Sequence, residues 1–374
     1  MINRPQLNAA RSRQLTRLLT ISKTATMDAR MEVAELAKII SIVAFDIGIS
    51  EEMERAFPWI WRYIAPPYEY YSLNTDWFST STIVIDIQTI IEMLEIGENL
   101  DEDFSTYLTC LMELHKRRRK YGLILQRQPL PTMVQVSPRA LMEYGPDFPP
   151  EALASWLTWR KFFYDLDNRS AQETGYLFEP ILAAAIGGEP KSAREKVVRR
   201  SEDATKGRQV DCWKIQSDGR ALAYELKLRV TIAASGQGRF AEELSFARDC
   251  RNSGAIPVLV VLDPTENNKL TGLQDAYRRE GGHAFIGDDA WRHLEDQAGR
   301  TMASFIERYV REPVERVSSF ENALHGDASR RSLVLHNLTA RLEGADLCIQ
   351  LGHHERRIQR HEDPSLADED SEDE

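Results

Sequence analysis

The stretch Leu222-Ala223-Tyr224-Glu225-Leu226-Lys227-Leu228 places a large apolar residue at every second position. Side chains of a strand alternate between its faces, so Leu222, Tyr224, Leu226 and Leu228 share one face while Glu225 and Lys227 share the other. Just upstream, Gln209 to Ile215 reads as a second strand, and Gln216-Ser217-Asp218-Gly219 between the two is strong turn chemistry. Arg220 to Val230 is therefore expected to return antiparallel, as the second arm of a hairpin. Cross-strand neighbours lie about 5 Å apart, close enough for Asp211 to join Glu225 and Lys227.

Outward from the hairpin, periodicity predicts helices at 170–186, 239–251, 269–280 and 289–309, and strands at 196–200, 256–262 and 283–286. Ile256 to Leu262 shows no alternation, as expected of a strand buried on both faces. The order α-β-β-β-α-β-α-β-α predicts an α/β fold, a mixed sheet flanked by helices.

Two carboxylates and an ammonium on one wall suit phosphodiester hydrolysis, which needs in-line attack by water, neutralisation of the phosphate and help for the leaving oxygen. Mg²⁺ supplies much of this when one or two carboxylates and several waters hold it. Asp211 and Glu225 are the candidate ligands, and the backbone carbonyl of Leu226 can complete the inner sphere. Lys227 would orient or deprotonate the attacking water, or stabilise charge on the phosphorane; metal and burial would lower its pKa. E-x-K alone is a common pattern, and an exposed hairpin with a cross-strand ion pair is the bland alternative. The surrounding order of elements is what favours chemistry.

These residues resemble the PD-(D/E)XK nuclease superfamily, whose core is an α-β-β-β-α-β unit with an acid on one central strand and E-x-K on the next. The match is Asp211 followed by Glu225-Leu226-Lys227, and it extends over roughly residues 170–290. The family's proline before the aspartate is missing, since Gln209-Val210 precede Asp211, a position that is loose in the superfamily. Many members carry a glutamate on the first helix, and Glu173 and Glu179 are the candidates. They stand about 240° apart around a helix, so both cannot face one site. Ser170-Ala171-Gln172-Glu173 fits a capping box, which gives Glu173 a structural task and leaves Glu179 for the site, although Pro180 follows directly.

Within the superfamily, Glu225 to Leu262 (ELKLRVTIAASGQGRFAEELSFARDCRNSGAIPVLVVL) resembles the ApaLI-type restriction endonucleases. That resemblance implies a type II restriction endonuclease, with Mg²⁺ as cofactor and double-stranded DNA as substrate. It also implies a palindromic site of the GTGCAC type, a homodimer, and a cognate DNA methyltransferase as functional partner. The stretch Thr231 to Arg239 would then be a DNA-facing loop. Its glycines permit close approach, and Ser235, Gln237 and Arg239 are candidates to touch bases or phosphates. A plain glycine loop feeding a helix is the competing reading. For the chain as a whole, a repair or structure-specific nuclease and a non-catalytic DNA-binding protein stay open beside restriction.

Residues 1–150 read as a mostly helical N-terminal region serving dimerisation or DNA recognition, with apolar periodicity in Met31–Val43, Ile83–Ile96 and Phe104–Leu114. Prolines 129, 131, 138, 146, 149 and 150 mark a boundary, after which a nuclease core is expected over 151–312, a C-terminal extension over 313–361 and a disordered acidic tail over 362–374. The basic run His115–Lys120 either complements the dipole at a helix end or contacts phosphate. Trp59, Trp61, Tyr63, Tyr68, Tyr70, Tyr71 and Trp77 are expected in packing rather than base stacking. The net charge of −11 falls to −3 without the eight acids of the tail. Charges are screened beyond about 10 Å at ~0.1 M salt, so one basic cleft is compatible with an acidic chain. Cys110, Cys212, Cys250 and Cys348 form no C-x-x-C pair, and the N-terminus lacks the apolar segment of a secretory signal, which together predict a cytoplasmic protein.

Overall fold

The computed structural model of the chain describes residues 8–20, 31–80, 83–136, 138–144, 149–174, 178–227, 237–263, 268–316, 338–351 and 353–364. Residues 365–374 of the acidic tail lie outside them. The chain divides into two compact units. One takes residues 1–19, 31–113 and 176–316, and the other takes 20–30, 114–175 and 317–374.

The first unit opens with α1 (Ala9–Leu19), α2 (Val33–Asp46), α3 (Ser50–Ala56), α4 (Pro58–Ile64), α5 (Thr75–Ser79) and α6 (Ile87–Leu100). Leu36, Ala37, Ile39, Ile40 and Val43 are wholly buried, which makes α2 the inner helix of this part. Burying each Leu or Ile is worth roughly 1.5–3 kcal/mol. Lys38 is buried among them and donates to the Trp77 and Thr80 carbonyls, so its charge is met by backbone. The aromatic stretch, expected in packing, is only partly so: Trp61, Tyr70 and Phe78 are buried, while Trp59, Tyr63, Tyr68 and Tyr71 stay exposed.

The long α7 (Phe104–Arg127) places the basic run at 115–120 inside a helix, well short of its end. Complementing a C-terminal dipole is therefore not its role, because the apolar stripe continues through Ile124 and Leu125 and carries the helix onward. The second unit adds α8 (Pro138–Tyr144) and α9 (Pro150–Thr174), and the core there joins Ile124, Leu125, Phe162, Leu166, Leu347 and Ile358. The capping box at Ser170 is also overturned. The helix runs unbroken from Pro150 through Ser170, drawn along by the buried residues Leu157, Phe162 and Leu166.

The first unit resumes with α10 (Phe178–Ala185), in which Pro180 sits in the first turn, where a missing N–H costs nothing. Then come β1 (Glu189–Lys191), β2 (Val210–Ile215), β3 (Ala221–Lys227), α11 (Gln237–Asn252), β4 (Ala255–Val261), α12 (Asn268–Arg279), β5 (His283–Ile286) and α13 (Asp288–Ile306). This is the expected order, with one displacement. The first strand is Glu189–Lys191, while 196–200 is a loop with a single bridge from Arg199 to Gly207. The apolar look of Val197-Val198 comes from Val198 packing into the core from that loop. In the second unit, β6 (Leu338–Glu343), β7 (Asp346–Leu351) and β8 (His354–Ile358) form an antiparallel sheet.

The main sheet has the order β1-β2-β3-β4-β5. β1, β2 and β3 are antiparallel neighbours, and β3, β4 and β5 run parallel. The predicted turn closes the hairpin. Gly219, at φ +84°, adopts a left-handed conformation that side-chain-bearing residues avoid, and Gln216 N–H donates to the Arg220 carbonyl at 2.9 Å. One face of the sheet carries Ala223, Leu259 and Val261 against Phe246, Ala247 and Cys250 of α11 and Leu270, Leu273 and Tyr277 of α12. The opposite face meets α10 and α13, where Tyr224 pairs with His293. The result is a mixed α/β sandwich of the restriction-endonuclease type. Among the described residues, no helix is long and apolar enough to cross a membrane.

Candidate active site

The period of two in β3 separates its side chains as expected. Leu222, Tyr224 and Leu226 are buried toward α10 and α13, while Glu225 and Lys227 emerge half-buried at the strand's end on the α11 side. The hairpin register pairs Cys212 with Tyr224 and Trp213 with Ala223, and one step further Asp211 comes opposite Glu225. Asp211 is fixed in this place by the Leu226 N–H, which donates to its Oδ2 at 2.9 Å. Leu226 thus serves the site through its backbone while its side chain stays in the core.

Lys227 Nζ donates to Glu225 Oε1 at 3.0 Å and to Glu243 Oε1 at 3.3 Å. Burial works to lower its pKa, but the Glu225 and Glu243 carboxylates outweigh burial and hold it above the ordinary lysine value. The expected lowering is not met, because two acids rather than one face this ammonium. Asp211 moves the opposite way for a carboxyl. Burial first, then the negative charges of Glu225 and Glu179, push it up to about 7, against the smaller pull of the Leu226 N–H and of Lys227. Glu179, at the start of α10, has a buried Oε2 with no hydrogen-bond partner.

Asp211, Glu225, Lys227 and Glu179 are thus brought into one electrostatic neighbourhood. Glu173 stands in the last turn of α9, and its side chain lies outside the described residues. Ser235 is also outside them, as are the side chains of Gln237 and Arg239. Both of these residues open α11, which begins two residues earlier than the periodicity suggested.

Sequence reasoning missed Glu243. The signal for it was present: Glu243 precedes Phe246, Ala247 and Cys250 by three, four and seven residues, which sets an acid on the stripe that packs on the sheet. It also missed how α11 is secured. Arg208 donates to Asp249 at 2.7 Å and to Ser245 Oγ at 2.5 Å, and Ser201 N–H donates to the other Asp249 oxygen at 2.7 Å. The buried carboxylate of Asp249 thereby ties the helix to the segment that leads into Asp211.

The donor set is hard oxygen with an excess of negative charge, and it includes one buried carboxylate oxygen left unpaired. That chemistry fits a hard divalent cation. Among the described residues, no three or more His, Cys, Asp or Glu side chains are gathered so as to hold a metal ion by themselves. Mg²⁺ does not require one, since it keeps several of its waters and needs only one or two carboxylates.

A mixed sheet of this order, with Asp and E-x-K meeting on adjacent strands, defines the class of restriction-endonuclease-like enzymes. A family model described as ApaLI-like restriction endonuclease matches residues 58–311. The chain is also 72% identical over 375 residues to the Type II restriction enzyme ApaLI of Acetobacter pasteurianus, with 100% of each chain covered. The chain belongs to the ApaLI-like restriction endonuclease family. It is a site-specific deoxyribonuclease, and DNA is what it binds.

Proposed function

We propose that Asp211, Glu225, Lys227 and Glu179 form the hydrolytic centre of a Mg²⁺-dependent enzyme that cuts double-stranded DNA at a palindrome of the GTGCAC type. The observation that carries this reading is the hairpin geometry: Asp211 stands opposite Glu225, with Lys227 beside it at the end of the same strand face.

Asp211, Glu225 and the Leu226 carbonyl would hold Mg²⁺, which when bound neutralises the phosphate and lowers the pKa of water. The Leu226 N–H fixes the Asp211 carboxylate so that its remaining lone pairs face the site. Glu179 supplies a buried carboxylate oxygen with no hydrogen-bond partner, which would accept from a water in the site. Lys227, kept as an ammonium by two acids, orients the attacking water and offsets charge on the phosphorane; this fits better than a role as base. Ser235, Gln237 and Arg239, between β3 and the first turn of α11, are the proposed DNA contacts. A palindromic site calls for a two-fold homodimer. A cognate methyltransferase in the same cytoplasm would protect host DNA. The N-terminal helical region is proposed to serve dimer contacts or recognition, and 151–312 to form the nuclease core.

Digestion of a mixed-sequence plasmid with Mg²⁺ should give discrete fragments whose sequenced ends fall at one palindrome. Preference for branched or nicked DNA would instead identify a structure-specific nuclease, and binding without cleavage would end the catalytic reading.

A further inference from the structure

Lys227 has two carboxylate partners of different origin. Glu225 is its neighbour on the same strand face, whereas Glu243 arrives from α11. Under the function proposed above, Glu225 turns its carboxylate to the cation. A carboxylate so engaged is a poor acceptor for an ammonium, and the cation itself repels Lys227. The lysine side chain is only 18% exposed, so bulk water is a poor substitute for the lost partner.

Glu243 does not share this conflict. Its helix is held to the sheet by Phe246, Ala247 and Cys250, and Arg208 ties the same helix through Ser245 and Asp249 to the chain just before Asp211. Its carboxylate therefore keeps its place relative to both catalytic strands. We infer that Glu243 is a positioning residue that retains the Lys227 ammonium at the reacting phosphate when Glu225 is drawn to the cation. The inference rests on the proposed roles of Asp211, Glu225 and Lys227 and adds to them a member that none of the motif positions supplies.

The experiment compares Glu243→Ala and Glu243→Gln with Asp211→Asn and Lys227→Ala in the full-length protein. It measures single-turnover cleavage with Mg²⁺, Mn²⁺ affinity by electron paramagnetic resonance, and DNA affinity in Ca²⁺. Misplacing a reacting group by about 1 Å costs on the order of 10²-fold in rate, which is the loss expected for Glu243→Ala. Glu243→Gln keeps the size and one acceptor oxygen, so it should fold normally and lose on the order of 10-fold, since a charge-assisted bond becomes a neutral one. Mn²⁺ affinity and DNA affinity should stay unchanged in both, whereas Asp211→Asn should lose Mn²⁺. A crystal structure of Glu243→Ala with Ca²⁺ and DNA should show Lys227 turned away, and one of Glu243→Gln should show it in place. Unaltered cleavage in both Glu243 variants, with Lys227→Ala inactive, overturns the inference alone. Loss of Mn²⁺ in Glu243→Gln also overturns it, by making Glu243 a ligand. Normal cleavage by Asp211→Asn and Lys227→Ala would overturn the proposed centre itself.

Discussion

The two faces of β3 bury polar groups in opposite ways. Toward α13, the Tyr224 hydroxyl lies 3.2 Å from His293 Nε2, and the imidazole stacks on Phe285 with centroids 3.9 Å apart. Burial, then the neighbouring His283, pulls His293 down to about 4, so the pair is neutral and its hydrogen bond is closed. Toward α11, the same strand sets Glu225 and Lys227 beside Asp211 and Glu243, where carboxylates outnumber the Lys227 ammonium, and Glu179 of α10, whose charge acts on Asp211, has an oxygen without a hydrogen-bond partner. A buried polar group with a complete set of neutral partners stabilises packing. One left with excess charge is costly to the fold and available to a cation. Alternation along seven residues thus separates a face whose polar pair is matched from one with excess negative charge, where the chemistry is proposed.

Substitutions should separate the faces. On the charged face, Lys227→Ala should lower the single-turnover cleavage rate by about 10⁴-fold, the upper range for a residue acting on the reacting proton or charge. Its melting temperature should stay near that of the unaltered chain; a collapse in thermal stability would mean that Lys227 is part of the framework instead. On the neutral face, Tyr224→Ala should cost about 3–5 kcal/mol in urea unfolding, as expected for emptying a wholly buried aromatic position. Cleavage per folded molecule should survive. If activity falls as steeply as for Lys227→Ala, the division between faces is wrong.

The legibility of these faces in the sequence follows the range of the forces involved. The hairpin was readable because alternation and turn chemistry are local: Leu222 to Lys227 and Gln216 to Gly219 each specify their own conformation. Alternation and register bring Asp211, Glu225 and Lys227 together, and the order of the surrounding elements marks them as the candidate site. β1 was misplaced because Val198 is buried from a loop whose course is set by Ser201 and Arg208 bonding to α11 and by Arg199 bonding to Ser253 just beyond it, none of which is local. Glu243 was missed because its partner lies on a different element, joined only when α11 packs on the sheet. The capping reading at Ser170 failed because a short motif lost to the long apolar stripe of α9.

The pH dependence of stability gives a third comparison, with opposite signs on the two faces. Asp211 rises from its ordinary 3.8 to about 7 in the fold, so the metal-free folded state binds the extra proton, and its contribution is lost as pH rises through 7. His293 falls from 6.5 to about 4, so here the unfolded chain binds the extra proton, and stability is lost as pH falls from 6.5 toward 4. The two slopes oppose each other between pH 4 and 6.5. Asp211→Asn should therefore steepen the acid loss of melting temperature and remove the decline toward pH 7. Cation binding by the unaltered chain at pH 6 should release a proton, measurable by calorimetry in buffers of different ionisation enthalpy. Release that does not diminish above pH 8 would place the titrating group elsewhere.

The smallest expected effect tests the neutral face from within. Tyr224→Phe removes only the hydroxyl and leaves His293 Nε2 without that partner, for a loss of about 1 kcal/mol. Replacing both members, as Tyr224→Phe with His293→Phe, removes the unmet group together with its partner, and should recover most of that loss because two apolar groups of similar shape need no hydrogen bond. A double-mutant cycle in urea measures the coupling directly. If the double variant is instead as unstable as the sum of the single ones, the Tyr224–His293 bond is not what settles this face, and stacking on Phe285 is. The charged face should allow no such repair, since removing Glu225 together with Lys227 takes away the proposed ligand and the proposed charge on the reacting phosphate.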